Sequence, residues 1–182
     1  MVAVVYTEDL ELYAELYRVL RNAGWKVSWK EGKGVALADL GHLPWGQVWV
    51  WRTPFGLRAY EPKALRFLTR RDDPKTLPQG LLGRGGFCLS PGEARALAHL
   101  GGVEGALEGL NRDQRRFFLK RIRLKFGLPE PLLQALARHQ VEVAGLQDHL
   151  QRLARPEAEP FLHVPGQEDL QGQRPLEAAP VA

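Results

Sequence analysis

Apolar residues fall along this chain in two patterns, short runs that are apolar on both faces and longer stretches in which they recur every three or four positions. Residues 2–6, VAVVY, are of the first kind and predict an interior strand of a parallel sheet. Thr7 then offers a cap, with Glu8, Asp9 and Glu11 near the positive end of a helix whose apolar positions are Leu10, Tyr13, Leu16, Tyr17 and Leu20, ending at Gly24. Trp25, Val27 and Trp29 alternate with Lys26 and Ser28, so residues 2–29 read as a β-α-β unit. Residues 35–40, VALADL, fit either a short helix or the return arm of a hairpin turning at Glu31–Gly34, with the helix favoured. Residues 47–52, QVWVWR, form another strand, with Trp49 and Trp51 on one side. After a turn at Thr53-Pro54-Phe55-Gly56, Pro62 opens an expected helix to about Arg71, with Ala64, Leu65 and Leu68 inward. Residues 74–86 are rich in Gly and Pro and read as a flexible loop. A phosphate cradle there lacks the Lys and hydroxyl such a loop needs at the following helix start. Phe87–Leu89 fits a last strand.

The second half is patterned for helices. Ser90 caps a helix from Pro91 to Leu100, and Gly101-Gly102 and Gly109 bound a weak helical turn. Residues 112–126 follow, with Asn111 and Gln114 placed as a capping box and Gly127 and Pro129 as the stop. At 100° per residue Phe118, Leu119, Ile122 and Phe126 share one side of that helix, and Arg112, Arg116, Lys120 and Arg123 share an adjacent stripe. Residues 131–154 predict a further helix. In it Leu132, Leu136, His139, Val143, Leu146, Leu150 and Leu153 repeat with the spacing of an a/d seam, so a homodimer through Leu132, Leu136, Val143, Leu146, Leu150 and Leu153 is expected as an alternative to packing on its own domain. Beyond Arg155 the Pro, Glu and Gln content reads as a disordered tail, 155–182.

Charge alters this picture. Residues 156–182 hold five acids and one base, so the tail is −4 and, with +4 overall, the body carries +8. The helix 112–126 holds seven bases against Asp113 alone, an arrangement relieved by an anionic partner. The single Cys88 excludes an internal disulfide and, following Phe87, is expected to be a buried thiol. One isoleucine, two asparagines and abundant Leu, Arg, Gly and Pro suggest a GC-rich, thermophilic source. No run is long and apolar enough to cross a bilayer and no leader pattern opens the chain, so a cytoplasmic location and no membrane partner are expected.

The segments VAVVYTED, Ala23-Gly24-Trp25-Lys26-Val27, GQVWVWRTP and GFCLSPGEARAL together resemble a response-regulator receiver domain. The resemblance implies a receiver-like, mostly parallel sheet over residues 1–88. It puts the acid pair at Thr7 and Glu8, the late Lys-Pro at Ser90-Pro91, and the phosphoacceptor near Val50 or Trp51. No acid lies between Asp39 and Glu61, so a pseudo-receiver without phosphotransfer is implied. Leu89-Ser90-Pro91-Gly92-Glu93-Ala94 and Arg121–Leu128 resemble the helix-turn-helix domain of quorum-sensing regulators, a likeness that competes with the first for Leu89–Leu97.

Chemistry is sparse. The five histidines lack metal-site spacing, and Ser28 and Ser90 lie in no nucleophile elbow. No catalytic residue, metal or cofactor is expected. The expectation is an α/β protein in which a receiver-like domain, 1–88, is followed by a helical region, 89–154. Its function would be that of a non-catalytic, DNA-binding transcriptional regulator, with Arg112, Arg115, Arg116, Lys120 and Arg123 on the nucleic acid. The alternative is an adaptor that binds an acidic protein partner.

Overall fold

The computed structural model describes residues 1–69, 74–82, 85–143 and 145. It opens with the expected β-α-β unit: β1 (Val2–Tyr6), α1 (Leu10–Asn22) and β2 (Lys26–Trp29), the strands parallel from Val2↔Lys26 to Val5↔Trp29. The cap of α1 is Asp9 rather than Thr7. Asp9 Oδ1 accepts from the Glu11 and Leu12 amides at 3.0 and 3.1 Å, while Thr7 Oγ1 accepts from the Asp9 amide at 2.9 Å.

Residues 35–38 are neither a helix nor a hairpin arm. They form β3 (Val35–Ala38), parallel to β1 on the side opposite β2, from Ala3↔Val35 to Tyr6↔Ala38. The reason is non-local: β1 has a second edge whose amides and carbonyls must be paired inside the fold. Residues 30–34 make the crossover with no room for a helix, and Gly34 lies so close to β1 that a Cβ there would be 2.4 Å from the Val2 carbonyl oxygen. β4 (Val48–Thr53) continues the parallel half through Leu37↔Val48 and Ala38↔Trp49.

From here the sheet turns antiparallel. The turn at Thr53–Gly56 joins β4 to β5 (Gly56–Glu61), followed by β6 (Arg66–Phe67) and β7 (Phe87–Cys88) in the order β2-β1-β3-β4-β5-β6-β7. The helix expected from Pro62 is replaced by a 3-10 turn, Pro62–Ala64, with Leu65 in the left-handed region at φ 51° and the chain turning back as β6. Ala64, expected inward, is exposed, and Arg70 and Arg71 lie outside the described residues. Within the Gly/Pro stretch sits a short helix, α2 (Leu77–Leu81). Gly80 faces Leu68 so closely that any Cβ would overlap its carbonyl. The remaining elements among the described residues are α3 (Pro91–Leu100), α4 (Arg112–Phe126) and α5 (Glu130–Val143).

The central strands β1 and β4 are apolar on both faces, and helices cover both. On one face Leu12, Leu16 and Leu20 of α1 and Leu77 of α2 pack with Ala3, Val5, Leu37, Val50, Leu57 and Ala59. On the other, Phe126 of α4 meets Trp51, Tyr60 and Phe67 with ring centroids 6.0, 5.1 and 4.9 Å apart. Trp51 Nε1 donates to the Phe126 carbonyl at 3.0 Å, and Gln140 Nε2 of α5 donates to the Pro62 carbonyl at 2.8 Å. Burial of a Phe of this kind contributes roughly 1.5–3 kcal/mol. Across the expected division at 88/89 the contacts continue: the described residues form one compact unit, an α/β fold with helices on both sides of the sheet. Among the described residues no helix is long and apolar enough to cross a membrane.

Two further expectations are corrected by burial. Cys88 is exposed, because β7 is the last strand of the sheet. On α5, Leu136 is fully buried in the chain's own core and Leu132 is 45% exposed, so the two do not form one exposed seam. Val143 is half-buried. Leu146, Leu150 and Leu153, and the tail 155–182, lie outside the described residues.

Candidate nucleic-acid interface

The position of α4 follows from its ends. Asn111 Oδ1 accepts from the Gln114 amide at 2.8 Å and Gln114 Oε1 accepts from the Asn111 amide at 3.0 Å, closing the expected capping box. At the other end Gly127 adopts φ 63° and its amide donates to the Arg123 carbonyl at 2.9 Å. Arg58, buried in β5, completes that terminus. Its Nη1 donates to the carbonyls of Leu124 and Lys125 at 3.2 and 2.7 Å, placing a cation at the negative pole of the helix. With Ile122 and Phe126 held inward, the opposite face is forced to solvent, including Phe117 at 52% and Leu124 at 47% exposure.

The seven cations of α4 separate into distinct sets. Arg121 Nε and Lys125 Nζ reach Glu93 of α3 at 2.9 and 2.6 Å. Glu93 is nearly inaccessible, and it also closes the capping box of α3, accepting from the Ser90 amide at 2.9 Å. Burial alone would raise its carboxyl, but Lys125, the Ser90 amide and Arg121 together hold it below the usual value. Lys125 moves down, because its own burial outweighs its share of a carboxylate divided between two cations. Arg123 makes a two-pronged contact with Glu130 at 3.1 Å per arm, which lowers the Glu130 carboxyl. Arg115 turns back to donate to the Leu110 carbonyl at 2.9 Å.

Arg112, Arg116 and Lys120 remain. All three are exposed, and among the described residues none has an ion-pair partner. They occupy one i, i+4, i+8 ridge, with successive members about 6 Å apart along the axis. Of the five residues expected on nucleic acid, the structure groups these three, turns Arg115 toward its own chain and neutralises Arg123. The same ridge runs on to Leu124, and the neighbouring ridge carries Phe117, Arg121 and Lys125. Both lead to a cleft of about 250 Å³ whose walls include Leu124, Arg121 and Lys125 of α4 and Phe67 and Phe87 of the sheet. Phe67 and Phe87 stack at 5.5 Å and 25°, and Lys125 Nζ lies 5.1 Å from the Phe87 ring centre.

A second polar group gathers at the C-terminal ends of β1 and β3, where the strand order changes direction. Asp39 accepts from the Thr7 hydroxyl and from the Gly41 amide at 2.9 Å, and hydrogen-bonds His42 Nδ1 at 2.9 Å. Glu8 pairs with Lys30, which lowers its carboxyl. Sequence reasoning passed over Asp39 and His42, because it took Gln47–Arg52 as the third strand and placed the acceptor position near Val50 or Trp51, both buried in β4. The available signal was the Asp directly after VALA, legible only once VALA is a strand. Among the described residues no group of three or more His, Cys, Asp or Glu side chains is arranged to hold a metal ion. No family model, curated protein or solved structure matches the chain.

Proposed function

We propose that this chain is a non-catalytic regulator that binds nucleic acid, engaging DNA phosphates through the exposed ridge of α4. The observation that carries the reading is the division of the α4 cations. Where the fold needs neutralisation, a carboxylate is supplied: Glu93 for Arg121 and Lys125, Glu130 for Arg123. The Arg112, Arg116 and Lys120 ridge has none among the described residues, and it stands on a helix held rigid at both ends. The segment between α3 and α4, Gly101–Asn111, exceeds the three or four residues of a helix-turn-helix turn, which favours phosphate contacts over insertion of α4 into a groove. The parallel order β2-β1-β3-β4, with Glu8 and Asp39 at its C-terminal ends, supports a receiver-like origin for that half, used without phosphotransfer.

Titrating duplex DNA into the full chain at several salt concentrations tests this. Binding should weaken steeply with salt, and each of Arg112→Gln, Arg116→Gln and Lys120→Gln should reduce the log–log slope by about one unit. A triple variant that binds as the parent does, or a parent that binds neither duplex nor single-stranded DNA, removes the reading. The second reading is an adaptor for an acidic protein, for which the exposed cations of α4 would be the contact surface.

A further inference from the structure

We propose that the cleft at the C-terminal end of α4 receives an unstacked base of a single-stranded nucleic acid whose phosphates follow the Arg112, Arg116 and Lys120 ridge. This rests on the phosphate reading of α4 and adds the form of nucleic acid bound. Continuity is the first argument. Leu124 is both the next member of the cationic ridge and a wall of the cleft, so a strand tracking the ridge arrives at the cleft mouth. The neighbouring ridge does the same, from exposed Phe117 through Arg121 to Lys125.

Chemistry is the second argument. Cations and aromatic rings alternate along this path: the Arg121 guanidinium is 5.7 Å from the Phe117 ring centre, and Lys125 Nζ is 5.1 Å from that of Phe87. Phe87 rests on Phe67 and lies under Lys125 Nζ, yet keeps 36% exposure, so the part of the ring that these two leave open is presented at the cleft beside a cation. Aromatic platforms beside a cationic track bind single strands with little regard to sequence, because every base has a π face. Size is the third argument. A cleft of about 250 Å³ has room for a base but not for a stacked base pair, whose faces are already covered by its neighbours. A small free anion would use the cleft and leave the ridge idle, so the continuity of the two selects a polymer.

The test compares three labelled probes carrying equal numbers of phosphates on the full chain, by fluorescence anisotropy at fixed salt: an oligothymidylate, a hairpin duplex and an abasic oligomer. The oligothymidylate should bind about fivefold or more tighter than either of the others, and Phe87→Leu, checked for its fold by circular dichroism, should lower oligothymidylate affinity by a similar factor. Equal affinity for the oligothymidylate and abasic probes overturns the base site, and so does a duplex that binds as tightly as the single strand. These comparisons use the parent protein and decide the matter even if the Leu variant fails to fold. If all probes bind equally and the Arg112→Gln, Arg116→Gln, Lys120→Gln variant weakens all of them, the phosphate reading stands and the base site falls. If no probe binds the parent, both fall.

Discussion

Replacing Glu93 by Gln removes one negative charge from the joint between α3 and α4 while leaving the shape of the side chain in place. Gln still accepts from the Ser90 amide, and Gln is a normal third residue of a capping box, so the cap of α3 survives and the effect isolates the charge. Two cations lose their partner, but not equally. The Arg121 side chain is 50% exposed and regains water, whereas that of Lys125 is 16% exposed and is left with a charge it cannot hydrate. Breaking a fully buried pair from one side costs about 3–5 kcal/mol; with Arg121 discounted, we expect about 2–3 kcal/mol. In a unit of this size that lowers Tm by roughly 5–10 °C.

The effect also has a pH signature. Because Glu93 sits below its ordinary value of 4.5 in the folded state, its stabilisation is fully present above 4.5 and is lost as pH falls through the folded value. The difference between parent and Glu93→Gln should therefore be largest near neutrality and should shrink only below pH 4.5, as pH falls through the folded value of Glu93. Urea titrations across that range measure it. Adding Lys125→Met should recover most of the loss, since removing both members of a buried pair is far less costly than removing one. A cost under about 0.5 kcal/mol, or one that persists unchanged into acid, would refute the account of Glu93 as a charge clamp.

The pseudo-receiver reading expects no aspartyl phosphate after treatment with acetyl phosphate, because the Asp39 carboxylate is engaged by Thr7, Gly41 and His42; an acid-labile adduct on Asp39 in mass spectrometry would contradict it. Leu136→Glu buries a carboxylate in the core of the chain itself, so it should cost several kcal/mol and unfold the protein, whereas the seam expected from the heptad spacing requires a dimer that becomes a folded monomer; light scattering with circular dichroism separates the two. Gly127→Ala must hold φ 63° and would place its Cβ 2.5 Å from Arg58 Nη1, which is pinned to the end of α4. A loss of about 1–3 kcal/mol in thermal melts is expected, and a neutral result would show that Arg58 is free to move.

What could be read along the chain, and what could not, divides by the range of the interaction responsible. α4 was legible to the residue because Asn111, Gln114 and Gly127 act within one turn of the positions they cap. β3, β5 and β6 were not, because their conformation is decided by an edge elsewhere. VALA is a strand because β1 has a free side, and the segment after Pro62 returns to the sheet because β5 does. The misread third strand also hid Asp39 from the end of the strand beside β1. That the helical region expected at 89–154 packs on the sheet was missed for a different reason, since the signal for it was present. Val48–Trp51 is apolar on both faces, and a sheet that is apolar on both faces must be covered on both. α1 and α2 supply one cover, and among the described residues α3–α5 are the remaining helices able to supply the second. That necessity also fixes the outward face of α4. Once Ile122 and Phe126 are committed to the sheet, the 100° step of the helix leaves the Arg112, Arg116 and Lys120 ridge facing outward. The surface proposed to meet nucleic acid is thus set by the same packing that joins the two halves of the chain.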